Sequence, residues 1–211
     1  MNNKNNIFKQ RRPLIGILRG ITPLEAESIS DVLIEVGINI IEVPLNSPEP
    51  YKTIERMVKF HGKSAIFGAG TVLHVNEVQT VSDCGGQIIV SPNLNTLVVK
   101  KTKDLNMFSF PGVFTPTECF DALQSGADGL KFFPASLLKE ENFKAINSVL
   151  PTNTISIAVG GIDEKKFSSW LNVNISGFGL GSNLYKPGML VEEVKSRAQE
   201  IVKAYDNHFN P

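Results

Sequence analysis

The sequence predicts an α/β fold, a single (β/α)8 TIM barrel, and three observations support this prediction. Short apolar runs rich in Ile, Val and Phe recur about every 20 to 30 residues along the 211-residue chain. A polar, helix-compatible stretch follows each run. Glycine pairs follow the seventh and eighth runs, where barrels commonly bind phosphate. A doubly wound open sheet is the alternative, but no GxGxxG motif follows the first run.

Eight apolar runs are the strand candidates, and their near-continuous hydrophobicity is typical of a parallel sheet covered on both faces. In chain order they span residues 14–19, 40–43, 65–69, 87–91, 107–111, 129–133, 155–159 and 177–181. Parallel strands joined by helical crossovers close most economically as a barrel.

Helix boundaries are predicted from capping residues. The first helix is predicted to begin at Thr22, which is followed by proline and then by Glu25, as in a capping box, and to end at Gly37. The sequence TPTE at residues 115–118 repeats this pattern. The apolar spacing over residues 190–205 predicts one closing amphipathic helix.

Composition and the chain termini exclude several classes of partner. Residues 1–12 are polar and basic, so we expect a flexible N-terminal leader before a barrel over residues 13–211. No apolar stretch is long enough to span a bilayer, and we expect a cytoplasmic protein without membrane contact. The formal net charge is zero, so nucleic acid is not an expected partner. Two cysteines and three histidines show no metal-ligand spacing, and neither a metal nor another cofactor is expected.

Lys131 is the candidate nucleophile because it lies within a predicted strand whose alternation directs it into the barrel. Loss of hydration and a nearby cation such as Arg19 would lower the pKa of its amine, which could then attack a ketone and form a Schiff base. The alternative is a lysine that ends its strand in solvent or only balances Glu42.

Glu42 is the candidate proton-transfer group, because it is an acid within a predicted strand and should also point into the barrel. One carboxyl can protonate the leaving hydroxyl of a carbinolamine and later accept a proton from a substrate hydroxyl. The alternative is a static ion pair with Lys131 or Arg19, which is disfavoured because buried ion pairs are costly to desolvate.

Anion-binding groups are predicted at other strand ends. Arg19 offers a planar fork of donors for a carboxylate or phosphate, unless it is a surface or interface arginine. Thr71, in the segment GAGTV, offers a hydroxyl beside glycines that allow close backbone approach, although such glycines are often only tight turns. Gly160, Gly161 and Ser182 follow strands seven and eight, where backbone N–H groups can bind phosphate.

At these residues the sequence resembles the family of 2-keto-3-deoxy-6-phosphogluconate and 6-phosphogalactonate aldolases, also described through 4-hydroxy-2-oxoglutarate aldolase activity. The similarity extends from Pro13 to about Lys203 and rests on PLIGILRGITP, IIEVPLNSP, FGAGTVL, IIVSPN, FPGVFTPTE, GADGLKFFPAS, AVGGI and GLGSNLY in this order. It implies a homotrimeric class I aldolase that cleaves a phosphorylated 2-keto-3-deoxy sugar acid to pyruvate and D-glyceraldehyde 3-phosphate.

The resemblance also implies roles for individual residues. It makes Lys131 the Schiff-base lysine and Glu42 the acid/base. It assigns the pyruvoyl end of the substrate to Arg19 and Thr71, with Pro92 and Phe133 lining it, and places Gly161 and Ser182 in the phosphate segments.

The loop after the second strand departs from the phosphogluconate branch, which typically has Thr-Leu-Arg there. The segment PLNSP at residues 44–48 resembles the phosphogalactonate branch. The resemblance therefore favours 2-dehydro-3-deoxy-6-phosphogalactonate, with its C4 epimer, the phosphogluconate, and 4-hydroxy-2-oxoglutarate as alternatives. Without that arginine, we expect backbone N–H groups near Gly160, Gly161 and Gly181 to hold phosphate with help from Ser182, which leaves Asn46 free for sugar hydroxyls.

Two functions from other classes remain as alternatives. A phosphosugar isomerase or epimerase would also bind phosphate after strands seven and eight, but it has no need of Lys131. A non-catalytic sugar-phosphate sensor on an aldolase scaffold would need neither Lys131 nor Glu42, and both are present.

Overall fold

The computed structural model describes residues 7–209, in which one parallel sheet is surrounded by helices. The strands are β1 (Leu14–Ile17), β2 (Ile40–Pro44), β3 (Ile66–Gly70), β4 (Ile88–Val90), β5 (Phe108–Phe110), β6 (Gly112–Val113), β7 (Leu130–Phe132), β8 (Ser156–Val159) and β9 (Gly177–Leu180). The helices are α1 (Ala26–Val36), α2 (Pro50–His61), α3 (Val75–Asp83), α4 (Thr96–Asp104), α5 (Pro116–Gln124), α6 (Ala135–Asn147), α7 (Phe167–Leu171) and α8 (Val191–Phe209). A 3₁₀ turn at Glu164–Lys166 precedes α7.

The eight predicted βα units give nine paired strands because Pro111 divides the fifth strand. β5 pairs with β4, whereas β6 pairs with β7, so the two pieces lie at opposite ends of the sheet order β5-β4-β3-β2-β1-β9-β8-β7-β6. Proline has no backbone N–H for a ladder hydrogen bond, although the carbonyl of Pro111 accepts one from Lys131 N at 2.9 Å. Since the two pieces are one continuous segment, the sheet closes on itself, and the predicted (β/α)8 barrel is confirmed.

The predicted helix signals are confirmed at one site and displaced at another. Thr115 caps α5, and the Glu118 side chain accepts from Thr115 N at 2.8 Å, so this capping box forms as expected. The carboxylate of Glu25 also accepts from Thr22 N at 3.0 Å, but α1 begins only at Ala26. The expected start at Thr22 is therefore wrong, because the Thr22 to Glu25 contact closes a turn before the helix.

The barrel interior contains an apolar cluster that includes residues of the expected leader. Ile7 is buried and Phe8 packs beside it, with the Phe8 ring centroid 6.1 Å from that of Phe110. Ile15 and Ile40 belong to the same cluster. The packed region therefore begins at Ile7, earlier than the expected boundary at residue 13, while residues 1–6 of the expected leader lie outside the described residues.

Candidate active site

A cavity of about 540 Å³ lies where the carboxyl ends of the strands meet their following loops. Its lining includes most of the site residues predicted from the sequence: Arg19, Thr71, Pro92, Lys131, Phe133, Gly160, Gly161, Gly181 and Ser182. The lining does not include Glu42 or Asn46. Glu42 is buried on β2, and Asn46 lies on the loop after β2. The lining residues come from separate segments between Ile17 and Pro187, which the barrel brings together at one site.

Lys131, on β7, presents an amine without a partner to this cavity. Its side chain is 6% exposed, and among residues 7–209 it makes no hydrogen bond or ion pair. The amine lies 4.9 Å from the ring centroid of Phe133. Burial lowers the pKa of Lys131, Arg19 lowers it further, and Glu42 opposes the change. The free amine, which is the nucleophilic form, is therefore more abundant at neutral pH than for an ordinary lysine.

Glu42, on β2, is buried at 1% exposure and takes up protons more readily than an ordinary glutamate. Burial raises the pKa of Glu42 to about 7, against the opposing effect of Lys131 and Arg19. Its Oε2 atom has no hydrogen-bond partner among the residues described. No ion pair between Glu42 and Lys131 forms within 4.0 Å in this part of the chain. Both protonation states are accessible near neutrality, as a group that donates and accepts protons requires.

Gly70 makes room for the Glu42 carboxyl. A Cβ atom added to Gly70 would lie 1.9 Å from Glu42 Oε2, so any larger residue would displace the carboxyl. Gly68 is constrained in the same way by the backbone of Ile88, whose oxygen would lie 1.9 Å from the added atom. The sequence suggested close approach of a ligand to these glycines, whereas the structure shows that atoms of the protein itself occupy the space.

Arg19, Asn46 and Thr71 form a cluster that joins the loops after β1, β2 and β3. The Arg19 guanidinium donates a short hydrogen bond to Asn46 Oδ1 and contacts Thr71 Oγ1 at 3.4 Å. Asn46 Oδ1 already accepts from Arg19, and the expected contact of Asn46 with sugar hydroxyls stays a prediction. Its amide N–H groups remain as donors.

The loops after β8 and β9 form a second part of the cavity that is rich in backbone donors. Gly160 and Gly161 have φ angles of 92° and 72°, which favour glycine. Between residues 7 and 209, no backbone hydrogen bond uses the N–H of Gly161 or Ser182. A Cβ atom added to Gly181 would meet nothing within 4 Å, so the space beside it is open. Such free N–H groups can bind an anion without a basic side chain.

Several cavity residues were not predicted from the sequence, and Tyr185 and Lys186 are two of them. Tyr185 is buried, and its hydroxyl donates to Glu25 Oε1 at 3.0 Å, which ties the loop after β9 to the loop after β1. Lys186 follows it and also lines the cavity. Tyr185 and Glu25 lie 160 positions apart, so no local pattern of the sequence could reveal this contact.

A family model described as KDPG and KHG aldolase matches residues 5–202. The chain belongs to this aldolase family. The match covers every strand of the barrel and both Lys131 and Glu42. The family assigned from the sequence motifs is therefore confirmed.

Among curated relatives, the chain is similar to two proteins named as phosphogalactonate aldolases. It is 48% identical over 195 residues to the probable 2-dehydro-3-deoxy-6-phosphogalactonate aldolase of Rhizobium meliloti (strain 1021), with 92% of each chain covered. It is 40% identical over 198 residues to the 2-dehydro-3-deoxy-6-phosphogalactonate aldolase of Escherichia coli (strain K12), covering 94% of this chain and 97% of the other. Relatives named 2-dehydro-3-deoxy-phosphogluconate aldolase are more distant and match only about half of the chain.

Comparison with solved structures agrees with this relationship. The structure described as "Native KDPGal structure" superposes with a TM-score of 0.93 at 40% identity, covering 94% of this chain and 97% of the other. At this level of similarity, the two chains share the same barrel fold.

Two further features are absent from residues 7–209. No group of three or more His, Cys, Asp or Glu side chains is placed to hold a metal ion. No helix is long and apolar enough to cross a membrane.

Proposed function

We propose that this chain is a class I aldolase that cleaves 2-dehydro-3-deoxy-6-phosphogalactonate to pyruvate and D-glyceraldehyde 3-phosphate. The observation that carries the proposal is the buried amine of Lys131, which lines the cavity, together with the buried, protonatable Glu42 whose charge interacts with it. An isomerase or epimerase needs a base but has no use for such an amine.

The reaction begins with attack of the Lys131 amine on the C2 ketone of the substrate. Glu42 protonates the hydroxyl of the resulting carbinolamine, water leaves, and an iminium forms between Lys131 and C2. The ionised Glu42 then takes the proton from the C4 hydroxyl. The C3–C4 bond breaks, its electron pair moves into the iminium to give an enamine, and the aldehyde is released. Protonation at C3 and hydrolysis return pyruvate and the free amine.

The two ends of the substrate are bound by different groups in this proposal. Arg19 and Thr71 bind the carboxylate of the pyruvoyl end, which Pro92 and Phe133 line. A second group of residues, on the loops after β8 and β9, binds the phosphate. Gly160, Gly161 and Gly181 bind it through backbone N–H groups, and Ser182 binds it through its hydroxyl. All of these residues line the same cavity, which supports the assignment.

The configuration at C4 is assigned to the galactonate series because two relatives with that name cover more than nine-tenths of the chain. Asn46 is a suitable selector, since its amide donates to a hydroxyl while Arg19 holds its oxygen. A donor left unpaired by the epimer costs about 1 to 3 kcal/mol.

The test of substrate choice is kcat/KM for the two C4 epimers, with released pyruvate measured through lactate dehydrogenase. We expect the phosphogalactonate substrate to equal or exceed the phosphogluconate substrate, and Asn46→Ala to narrow any difference. A wild-type preference for phosphogluconate greater than about tenfold, or about 1.4 kcal/mol in transition-state binding, would make the assignment wrong but leave the aldolase mechanism intact.

We also propose a cytoplasmic homotrimer. Support for self-association comes from exposed apolar side chains on three successive βα units: Leu73 after β3, Leu97 in α4, and Phe114 and Phe120 around the start of α5. Burial of such side chains favours association. Sedimentation equilibrium should give three times the chain mass, and a charged substitution at Leu97 should reduce it. A wild-type chain that sediments as a monomer would contradict the trimer.

A further inference from the structure

The charged side chains that line the cavity differ in whether they already have a contact or a role in the proposed mechanism. Arg19, Lys131 and Lys186 are the cations of the lining, and Asp163 is the anion. Arg19 is held by Asn46 and Thr71 at the loops after β2 and β3. The amine of Lys131 reacts with the substrate in the proposed mechanism. Among the lining residues, Lys186 is therefore the cation that remains for the part of the cavity formed by the loops after β8 and β9. Two cations outside the lining are already bonded to carbonyls of these loops, Lys166 to Gly161 O at 2.9 Å and Arg197 to Asn183 O at 3.4 Å.

The backbone on both sides of Lys186 is anchored. Tyr185 is buried, and its hydroxyl donates to Glu25 at 3.0 Å. Pro187 packs against Gly20 so closely that a Cβ atom on Gly20 would lie 2.5 Å from the proline ring. The N–H of Tyr185 also donates to the carbonyl of Gly181 at 3.0 Å. These contacts fix Lys186 on the same short loop as the proposed phosphate donors, although its own side chain is exposed.

Lys186 has no competing ion pair in the part of the chain that the structure describes. Lys103 contacts Asp128 at 2.5 Å and Lys195 contacts Glu35 at 2.9 Å, but no carboxylate lies within 4.0 Å of the Lys186 ammonium. The proposed phosphate donors nearby are neutral. A phosphate monoester carries nearly two negative charges near pH 7, and Asp163, with its buried Oδ1 atom unpartnered, adds to the negative charge of this region.

We propose that Lys186 is the counter-ion of the substrate phosphate and sets the preference of the site for phosphorylated over unphosphorylated substrates. This inference rests on the proposed aldolase function and adds a specificity-determining residue to it. Because the ammonium is exposed, solvent screens its attraction for the phosphate, and the effect depends on ionic strength.

The experiment compares cleavage of 2-dehydro-3-deoxygalactonate with and without its 6-phosphate, measured as pyruvate release. The variants are Lys186→Gln, the charge-conserving Lys186→Arg, and the control Lys165→Gln, which removes an exposed lysine of the 3₁₀ turn outside the cavity lining. The measured quantity is the ratio of kcat/KM for the phosphorylated substrate to kcat/KM for the unphosphorylated one.

We expect Lys186→Gln to lower this ratio about tenfold at low ionic strength, and by a smaller factor at 0.5 M salt because screening already weakens the wild-type interaction. Lys186→Arg should restore the ratio to within about threefold of wild type, and Lys165→Gln should leave it unchanged. A ratio that does not move in Lys186→Gln, or that falls equally in Lys165→Gln, would overturn the inference. An equal loss of kcat/KM on both substrates in Lys186→Gln would also overturn it, because such a loss indicates a structural effect. A wild-type chain that cleaves neither substrate would instead overturn the proposed function, and this inference with it.

Discussion

The floor and the mouth of the cavity differ in how their functional groups are held. We call Lys131 and Glu42 the floor: both are side chains of strands, β7 and β2, both are less than a tenth exposed, and Lys131 is the one of the two that lines the cavity. At the mouth, glycine N–H groups, Ser182 and the exposed Lys186 lie on the loops after β8 and β9. The floor is therefore built from buried side chains fixed by the strand ladder, and the mouth from backbone and solvated groups.

This difference separates reactivity from recognition. Burial lowers the pKa of Lys131 and raises that of Glu42 to about 7, which suits one to the proposed role of nucleophile and the other to the proposed role of proton carrier. Solvated groups at the mouth contribute binding that water and salt weaken. Changes on the floor should consequently have much larger effects on the rate than changes at the mouth.

The largest effect is expected from removal of Lys131, the nucleophile of the proposed mechanism. Lys131→Ala should lower kcat for cleavage by at least about 10⁴-fold, because no iminium can form. The fold should survive, since Glu42 with a pKa of about 7 can remain neutral when its cationic neighbour is removed. Pyruvate release and thermal unfolding by circular dichroism measure both effects, with the exposed Lys100→Ala as the control. Full activity in Lys131→Ala would contradict the mechanism.

Glu42 should show the next largest effect, together with a change in pH dependence. Glu42→Gln should lower kcat by about 10² to 10⁴-fold, the usual contribution of a general acid or base. In the wild type, kcat/KM for cleavage should fall as the pH increases through about 7, because the free enzyme needs the protonated carboxyl to protonate the carbinolamine hydroxyl. The part of this fall that belongs to Glu42 should be missing from the pH profile of Glu42→Gln. An identical profile in both proteins would exclude Glu42 as the titrating group.

A smaller effect on kcat is expected for a substitution at Gly70, which acts only through Glu42. Gly70→Ala places a methyl group where the Glu42 carboxyl lies and should lower kcat about 10 to 100-fold by displacing it. The shorter acid in Glu42→Asp leaves room for that methyl group, so the double variant should be no less active than Glu42→Asp alone. Losses that simply multiply in the double variant would show that Gly70 does not act through Glu42.

The smallest effect is expected from removal of metal ions, which tests whether the reaction proceeds through an iminium. Chelation with EDTA should change the rate less than about twofold, because the iminium serves as the electron sink that a metal ion would otherwise provide. Steady-state cleavage before and after dialysis against EDTA measures this. A loss of activity that added zinc or magnesium restores would contradict the class I mechanism.

The sequence predicts the floor well because strand alternation is a local property. Each strand candidate overlaps an observed strand, and Lys131 lies in register with Ile157, which belongs to the apolar cluster of the barrel interior. A charged residue at such a position is conspicuous among aliphatic neighbours. The reactive pair could therefore be selected from the sequence before any contact was known.

The mouth and the closure of the barrel depend on contacts that no local pattern reveals. Tyr185 bonds to Glu25 across 160 positions, and this contact is what fixes the loop bearing Lys186. The bond from Arg19 to Asn46 likewise depends on how two loops meet. The division of the fifth strand at Pro111 follows from proline chemistry, but which neighbour each half pairs with is decided only by closure.

The most direct test of the central claim is borohydride reduction in the presence of pyruvate, followed by mass spectrometry of the intact chain and of its peptides. We predict a mass increase equal to one reduced pyruvoyl adduct, located at Lys131, and no increase in Lys131→Ala or in wild type without pyruvate. Absence of an adduct in the wild type, or an adduct on another lysine, would contradict the assignment of Lys131 as the Schiff-base residue.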